Sequence, residues 1–275
     1  MLVKKTLTLA ATVAAFALTL SACTSTPATP ASTAASEAAS APAADYGLVT
    51  AGTLTICSDI PYKPFEFEDA TTASGYTGFD IELVDAIAKN LGLSLTVVVT
   101  NFDALQSGTA LEANTCDMAA SAMTITDERK QNLDFADAYY DSLQSLLVKA
   151  DSGIANLAGT DGKKIGVQKG STGKSYANEN APSGATIVDF ADDGKMWIAL
   201  QAGQVDALLQ DQPVNHQHEV DDPGYKIVET YDTNEQYGFA LAKGKKPELL
   251  AAVNEQLAAL RADGTYDTIY KKYFG

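Results

Sequence analysis

The residues best suited to bind a small charged molecule lie in the stretch 116–140, CDMAASAMTITDERKQNLDFADAYY. Its run of small apolar residues predicts a buried strand over residues 118–122, followed by a polar turn. Thr126 is placed to cap a helix, which puts Arg129 about one turn beyond the strand. A guanidinium there, with the Thr124 hydroxyl and unpaired backbone N–H groups, is suited to bind a carboxylate. The spacing alone fits equally well a surface ion pair between Arg129 and one of three nearby acids: Asp127, Asp134 or Asp137.

A second candidate for charge recognition is the stretch 168–175, QKGSTGKS, which lies between a predicted strand and a predicted helix. It comes close to the phosphate loop G-x-x-x-x-G-K-[ST], but Gln168 occupies the position of the first glycine, so the tight turn is not encoded. Backbone N–H groups at the start of a helix bind a carboxylate as well as a phosphate. The stretch is therefore more consistent with a carboxylate site than with a nucleotide site.

Asp211 follows an apolar predicted strand, at the carboxyl end where doubly wound folds bind ligands. Its carboxylate is suited to bind an ammonium group, and together with Arg129 it would meet both charges of a free α-amino acid. Both charges need a partner, because burying either one unpaired costs several kcal/mol. The alternative, an acid on a surface loop, stays open at this point.

No metal, cofactor or catalytic group is predicted. His216 and His218 form an H-x-H pair without a carboxylate or cysteine at metal-ligand spacing, which favours a solvated helix face. Ser171 is followed by no recognisable base, so no Ser-His-Asp arrangement is indicated. Trp197, at helical spacing with Leu200, is predicted to lie in the core. Because its candidate residues only suit the binding of a zwitterion, the chain is predicted not to be an enzyme.

The N-terminal segment predicts export. Residues 1–22 combine Lys4 and Lys5, an apolar core too short to span a membrane, and Leu-Ser-Ala before Cys23. This is a bacterial lipobox, so Cys23 is predicted to be lipidated and to anchor the protein on the extracellular face of the cell membrane; an ordinary signal peptide is the alternative. Residues 23–44 are rich in Ala, Ser, Thr and Pro and predict a disordered tether. A net charge of −16 without a basic cluster argues against a nucleic-acid partner.

From residue 45 onward the pattern is α/β. Strand and helix signals alternate as βαβαβ, which predicts a doubly wound sheet, and the pattern then restarts after residue 140. Two closing helices are predicted to return to the first unit. This gives a first lobe of residues 45–140 and 239–275 and a second lobe of residues 141–238. The chain would cross between the lobes near 141–145 and 233–238, which makes these segments the hinge candidates.

Two segments resemble a known family. The signatures of the extracellular solute-binding proteins, family three, are similar to two parts of this sequence. One is GFDIELVDAIAKNL (78–91), and the other consists of Ser121, Thr124, Arg129 and FADAYY (135–140). The similarity extends from about Gly52 to Gly275. It resembles most the glutamine-binding and the lysine/arginine/ornithine/histidine-binding members. The resemblance implies a two-lobed, type II periplasmic-binding-protein-like fold in which each lobe is a doubly wound sheet flanked by helices.

The resemblance also implies a set of ligand-binding residues. Thr172 and Arg129 would hold the ligand carboxylate, two aromatic residues would stack on its side chain, and Asp59 would lie deep in the site. The complete set is Asp59, Tyr62, Phe102, Ser121, Ala122, Thr124, Arg129, Gln168, Ser171, Thr172, Gln210 and Asp211. For Tyr62 and Phe102 the alternative is ordinary core packing. Cys57 and Cys116 lie on strands that are neighbours in this family's sheet, so a disulfide between them is plausible, although their positions along the strands leave the register in doubt.

The function implied is that of the substrate-binding subunit of an ABC importer. Such a subunit captures a polar or basic amino acid by hinge closure and delivers it to the permease and ATPase subunits, and we expect it to be a monomer. Asp59 favours a polar or cationic side chain over an acidic or aliphatic one. Two alternatives remain: a dehydratase-like exported enzyme on the same fold, and a ligand-sensing receptor subunit.

Overall fold

A computed structural model describes residues 45–275. The predicted signal peptide (1–22), the lipidated Cys23 and the tether (23–44) lie outside the described residues. Among the residues that are described, no helix combines the length and the apolar character needed to cross a membrane.

Strands and helices alternate along most of the described chain. In chain order the strands are β1 Thr53–Ser58, β2 Phe67–Glu68, β3 Tyr76–Thr77, β4 Ser94–Val99, β5 Met118–Ala119, β6 Leu133–Phe135, β7 Tyr140–Lys149, β8 Lys164–Gln168, β9 Thr186–Phe190, β10 Ala207–Asp211, β11 Tyr225–Tyr237 and β12 Ala240–Ala242. The helices are α1 Phe79–Asn90, α2 Phe102–Gln106, α3 Thr109–Glu112, α4 Thr172–Asn180, α5 Asp193–Gln201, α6 Gln212–Asp221, α7 Pro247–Ala262 and α8 Thr265–Phe274. Two short 3₁₀ turns span Arg129–Gln131 and Leu157–Thr160.

Ten of the twelve strands form two five-stranded sheets, and β2 and β3 pair as a separate two-stranded sheet. We call the part of the chain around each five-stranded sheet a lobe. The sheet of the first lobe has the order β4-β1-β5-β12-β6, with β1 parallel to β4 and β5 and with β12 antiparallel to its neighbours. The sheet of the second lobe has the order β11-β7-β10-β8-β9, with a parallel part, β10-β8-β9, and an antiparallel part, β11-β7-β10. This is the predicted two-lobed α/β architecture.

The strands β7 and β11 extend well beyond the predicted hinge segments at about 141–145 and 233–238. They pair with each other from Tyr225↔Lys149 to Tyr237↔Tyr140, with irregularities between Ile227 and Glu229 and between Tyr231 and Glu235. The predicted hinge segments 141–145 and 233–238 therefore lie largely within this two-stranded ribbon. The chain passes between the sheets closer to the first lobe than predicted, after β6 and before β12. The exact division of the chain into lobes stays a prediction.

Two predicted helices are shorter than expected. The pattern over residues 102–114 predicts one helix, but the chain forms α2 and α3 with a break at Gly108, whose φ of 82° lies in the left-handed region. The helix predicted after Thr126 is a single 3₁₀ turn, Arg129–Gln131. The predicted cap is nevertheless formed, because the Arg129 N–H donates to Thr126 Oγ1 at 3.1 Å.

Cys57 and Cys116 are joined by a disulfide in the structure. Their Cα atoms are 5.7 Å apart, within the range that a bridge spans without backbone movement. In sheet register Cys57 lies opposite Ala119, and the chain before β5 brings Cys116 back beside it. Both cysteines are fully buried. The doubt over their register is thereby answered.

Candidate functional site

A small cavity of about 10 Å³, room for about one water molecule, lies between the two lobes. Most of the residues that line it lie at or just after the carboxyl ends of β1, β5, β8 and β10 or at the start of α2 and α4, where parallel sheets commonly bind ligands; Tyr62, in the loop after β1, and Arg129, in the 3₁₀ turn, complete the lining. Its lining consists of Asp59, Tyr62, Phe102, Ser121, Ala122, Thr124, Arg129, Gln168, Ser171, Thr172 and Asp211. Eleven of the twelve predicted ligand-binding residues are therefore brought together, and Gln210 is not among them.

Arg129 lies at one end of the cavity with a side chain that is only 5 % exposed. Its Nη1 donates to the Thr124 carbonyl at 2.7 Å, and its Nη2 donates across the lobes to the Gly170 carbonyl at 2.9 Å. The guanidinium lies over the Phe102 ring, 5.3 Å from the centroid, in a cation–π contact. Burial lowers the pKa of Arg129 to about 10, so the group is still cationic at neutral pH.

The alternative role of Arg129, a surface ion pair with a nearby acid, is wrong. No carboxylate of the described residues lies within 4.0 Å of its guanidinium. Lys130 pairs with Asp127, and Lys243 pairs with Asp134 at 2.8 Å. A buried guanidinium without an acidic partner has unused capacity to bind an anion.

Asp211 lies on the same cavity, at the end of β10. Its Oδ2 accepts from the Tyr62 hydroxyl at 2.8 Å, a contact that joins the lobes, and its Oδ1 accepts from Gln144 Nε2. Burial, reinforced by the nearby Glu235 carboxylate, raises the pKa of Asp211 to about 7. Asp211 is only 8 % exposed, which excludes the reading as a surface loop acid. A cation bound here would favour the ionised form.

Asp59 and Gln168 meet across the lobes at another part of the cavity. Gln168 Nε2 donates to Asp59 Oδ2 and, at 3.2 Å, to the Ala191 carbonyl. Burial raises the pKa of Asp59 to about 7, the Gln168 hydrogen bond opposes this shift, and the negative charges of Asp192 and Asp193 add to it. Lys195 pairs with Asp192, which leaves Asp59 and Asp193 as the acids that make this part of the cavity suited to a cation or a hydrogen-bond donor.

Two buried acids shape the loop between Asp59 and Arg129, and the sequence prediction missed both. Asp80 Oδ2 accepts from the Ala122 N–H at 2.9 Å and from the Tyr139 hydroxyl at 2.6 Å. Ala122 has a φ of 43°, a left-handed conformation that an alanine adopts only when its surroundings impose it. Glu66 accepts from the Ser121 hydroxyl at 2.8 Å. The two acids therefore hold Ser121 and Ala122 at the cavity wall.

Burial raises the pKa of both acids. The pKa of Asp80 rises to about 7, and the pKa of Glu66 rises well above its usual value because burial and the adjacent Asp80 charge both disfavour its ionisation. Glu66 Oε2 and Asp80 Oδ1 are both buried without a hydrogen-bond partner. The only sequence signal for these acids was the signature GFD, which contains Asp80. In the sequence analysis this signature indicated the family and was not assigned to the site.

Gln210 is the one residue of the predicted ligand set that does not line the cavity. Its side chain points behind the cavity wall, where Nε2 donates to Asp193 Oδ1 at 2.8 Å and to Asn215 Oδ1 at 3.0 Å. Consecutive residues of a strand face opposite sides of the sheet, so Asp211 and Gln210 cannot both face the cavity. Gln210 supports Asp193, one of the acids near Asp59.

The predicted solvated face of the H-x-H pair is correct for His216 but wrong for His218. The His216 side chain is 58 % exposed, whereas that of His218 is 13 % exposed. His218 Nε2 lies 2.9 Å from Asp193 Oδ1, and its ring stacks on Trp197 with 4.3 Å between centroids. Trp197 is partly buried against the core of the second lobe, as predicted.

The cavity as a whole offers one strong cation, two carboxyls and an aromatic wall. Arg129 suits a carboxylate, and Ser171 and Thr172 at the start of α4 line the same cavity, where the N–H groups that begin a helix can bind an anion. Asp211 and Asp59 suit cationic groups. Tyr62 and Phe102 are each 8 % exposed and line the cavity, so they are not only core residues. Among the described residues there is no cluster of three or more potential metal ligands.

Known proteins are similar to this chain over most of its length. A probable histidine-binding protein of Campylobacter jejuni is 35 % identical over 228 residues, covering 82 % of this chain and 86 % of that protein. An ancestral arginine-binding protein solved with arginine has a TM-score of 0.73 at 37 % identity, and the match covers 82 % of this chain and 99 % of that chain. An ancestral arginine-binding protein solved with glutamine has a TM-score of 0.75. An ancestral amino acid-binding protein that is a precursor of cyclohexadienyl dehydratase has a TM-score of 0.73 at 38 % identity, covering 82 % and 96 % of the two chains. The family model of bacterial extracellular solute-binding proteins, family 3, matches residues 54–275, and the chain belongs to that family.

Proposed function

We propose that the protein captures a free amino acid with a polar or basic side chain between its two lobes and delivers it to an ABC importer. The observation that carries the proposal is the placement of Arg129, Asp211 and Asp59 on one interlobe cavity. These are the three charges that a zwitterion with a cationic side chain requires. The relatives named as histidine-binding and arginine-binding proteins support the same class of ligand.

The ligand carboxylate would lie against Arg129 and the N–H groups at the start of α4, and its ammonium against Asp211. Arg129 and Asp211 belong to different lobes, so a ligand held by both would favour the state in which the lobes are together. The direct contacts Tyr62–Asp211 and Arg129–Gly170 already join the lobes at this place. A ligand would therefore bind within this network of polar side chains and not in an apolar pocket.

The side-chain end of the ligand would face Asp59. Its carboxyl, with Asp192 and Asp193 nearby, favours a guanidinium, ammonium, imidazolium or amide group and repels a second carboxylate. Tyr62 and Phe102 would cover the aliphatic stem of arginine or lysine. Arginine-like ligands are expected to bind more tightly than glutamine, because the Asp59 carboxylate attracts a guanidinium more strongly than a neutral amide and position 168 holds an uncharged glutamine.

A thermal-shift panel of the amino acids, followed by calorimetry on the hits, tests this proposal. We expect arginine, lysine, histidine or glutamine to raise the unfolding temperature, because a ligand bound only to the folded protein stabilises it by mass action. Asp59→Asn should weaken the cationic ligands most, whereas Asp151→Asn, at a surface acid paired with Lys149, should leave binding unchanged. Binding of glutamate or leucine, with those four amino acids inert, would contradict the assignment of Asp59.

The remaining parts of the proposed role are the partners and the location. We propose that the protein acts as a monomer with the permease and ATPase subunits and is held on the extracellular face of the membrane by lipid on Cys23. Acyl chains contribute about 0.8 kcal/mol per buried methylene, so two or three chains give a stable anchor. Cys23→Ala, expressed in a bacterium that processes lipoproteins, should appear in the medium. Retention of this variant in the membrane fraction would argue against the anchor.

We propose a binding role and not an enzymatic one. The alternative is an enzymatic role, because the chain is similar to a precursor of a dehydratase. Asp59 and Asp211, both with a pKa near 7, are the groups that an acid–base reaction would use. Incubation of each bound amino acid with the protein, followed by mass spectrometry, separates the two roles: a binding protein returns the ligand unchanged.

A further inference from the structure

Glu235 is a buried carboxylate on the ribbon that joins the lobes. It lies on β11, opposite Ser142 of β7 and directly after the irregularity in strand pairing, and Asn234 before it has a φ of 53°. Alternation along the strand directs Glu235 and Tyr237 inward, and Glu235 is 8 % exposed. It does not line the cavity, and it belongs to none of the predicted ligand contacts.

One oxygen of Glu235 binds both lobes. The Thr124 hydroxyl of the first lobe and the Thr172 hydroxyl of the second lobe each donate to Oε2 at 2.7 Å. The other oxygen, Oε1, accepts from the Thr233 hydroxyl at 2.8 Å and from Gln144 Nε2 at 3.2 Å. The two threonines are those that flank the proposed site of the ligand carboxylate.

This placement is unfavourable for Glu235 unless it serves these contacts. No lysine or arginine of residues 45–275 lies within 4.0 Å of its carboxylate, whereas the surface acids pair with lysines. Its charge also acts on Asp211, where it is the second cause, after burial, of the raised pKa. Apart from the longer-range attraction of Arg129, this buried carboxylate is stabilised by its hydrogen bonds, and two of those bonds come from opposite lobes.

We infer that Glu235 is a positioning residue that latches the two lobes together next to the carboxylate end of the site. By accepting from Thr124 and Thr172 it fixes both hydroxyl hydrogens toward itself. Arg129 and the backbone N–H groups at the start of α4 are then left for the ligand carboxylate. The contact between the lobes does not depend on the proposed function, because the latch joins them whether or not an amino acid is bound. Only the role of the latch beside the ligand carboxylate rests on that function.

The test is the distance between spin labels at Lys89 and Ile198, exposed positions on α1 of the first lobe and α5 of the second, measured without ligand and with L-arginine. Glu235→Ala should shift the ligand-free distances toward a longer, separated population and weaken arginine binding by about ten- to a hundredfold, the loss expected for a charge-assisted hydrogen bond. Glu235→Gln keeps an oxygen that can accept from both threonines, so it should retain the wild-type distances. Thr233→Ala, which removes a hydrogen bond to the same glutamate within one lobe, is the matched control and should also retain them.

Thr172→Val provides an independent variant, because it removes one arm of the latch and leaves Glu235 in place. It should shift the distances in the same direction as Glu235→Ala, with circular dichroism showing that both variants are folded. The inference is overturned if Glu235→Ala and Thr172→Val keep the wild-type distances, or if Thr233→Ala separates the lobes as much as they do. Should Glu235→Ala separate the lobes while no amino acid binds the wild-type protein, the latch stands and the proposed function fails.

Discussion

Lowering the pH is expected to weaken the binding of a cationic amino acid, because two carboxyls of the site must be ionised to hold it. Asp59 and Asp211 each have a pKa raised to about 7, principally by burial. A bound ammonium or guanidinium favours the ionised carboxylate and so lowers the pKa in the complex. Binding below pH 7 must therefore release protons, and the association constant must fall as the pH falls.

The size of the effect follows from the fraction of each carboxyl that is ionised before binding. One group with a pKa of about 7 is about half ionised at pH 7 and about 1 % ionised at pH 5. Between pH 7 and pH 5 each group then lowers the association constant by about fiftyfold, which is about 2.3 kcal/mol, and well below pH 7 the fall approaches tenfold per pH unit. If both groups act independently, the affinity at pH 5 should be lower than at pH 8 by about 10⁴-fold.

Calorimetry with L-arginine between pH 5 and pH 8.5, in buffers that differ in ionisation enthalpy, measures both the affinity and the number of protons released. Asp59→Asn should reduce the release below pH 7 from about two protons to about one, because only Asp211 is left to titrate. Asp151→Asn, at the surface, should not change it. An affinity that is equal at pH 5 and pH 8 would refute the assignment of these carboxyls to the cationic groups of the ligand.

Three further outcomes are expected. Arg129→Ala should weaken amino-acid binding by about 2–5 kcal/mol in calorimetry while the fold is retained, since the ligand carboxylate loses its buried partner; an affinity within a few-fold of wild type would contradict this. The ligand-free protein should become less stable to urea as the pH rises from 4 to 7, because the folded state holds a proton on Asp80, whose pKa is about 7, that the unfolded chain has released. Asp80→Asn should flatten that slope by about 1.4 kcal/mol per pH unit, and an unchanged slope would speak against the raised pKa. Gly173→Ala should lower the urea midpoint, because a Cβ there would lie 2.9 Å from Gln144 Oε1 and 3.0 Å from the Leu209 carbonyl; an unchanged midpoint would mean that α4 shifts freely.

The elements that the sequence predicts well are those with an unbroken hydrophobic period. Helix α1 and strand β1 are found where alternating or helical apolar spacing placed them. The full length of the ribbon of β7 and β11 was missed because buried polar side chains such as Gln144 and Glu235 interrupt its apolar alternation, and because its pairing is irregular. A period of two that is shifted by a bulge leaves little signal in a linear sequence.

The residues of the site also fall into a group that the sequence predicts and a group that it does not. The residues that would touch a ligand follow the ends of parallel strands or match family signatures, so position along the chain identified them. The residues that act through them, Asp80, Glu66, Gln144 and Glu235, are polar side chains whose partners are far apart in sequence. Glu235, for example, is 111 positions from Thr124 and 63 from Thr172. Only the folded chain brings such partners together.

The disulfide between Cys57 and Cys116 bears on how the protein must be made. The bridge joins positions 59 residues apart, and the segment between them contains α1, β4, α2 and α3. Closing a loop of that length removes conformational entropy from the unfolded chain worth about 4 kcal/mol, a large share of the stability of an ordinary domain. Asp59 and Ser121 follow the two cysteines closely in the chain, so the bridge also ties together two walls of the cavity. Material produced in a reducing cytoplasm would lack this tie, and binding measurements are therefore best made on protein that was oxidised after export.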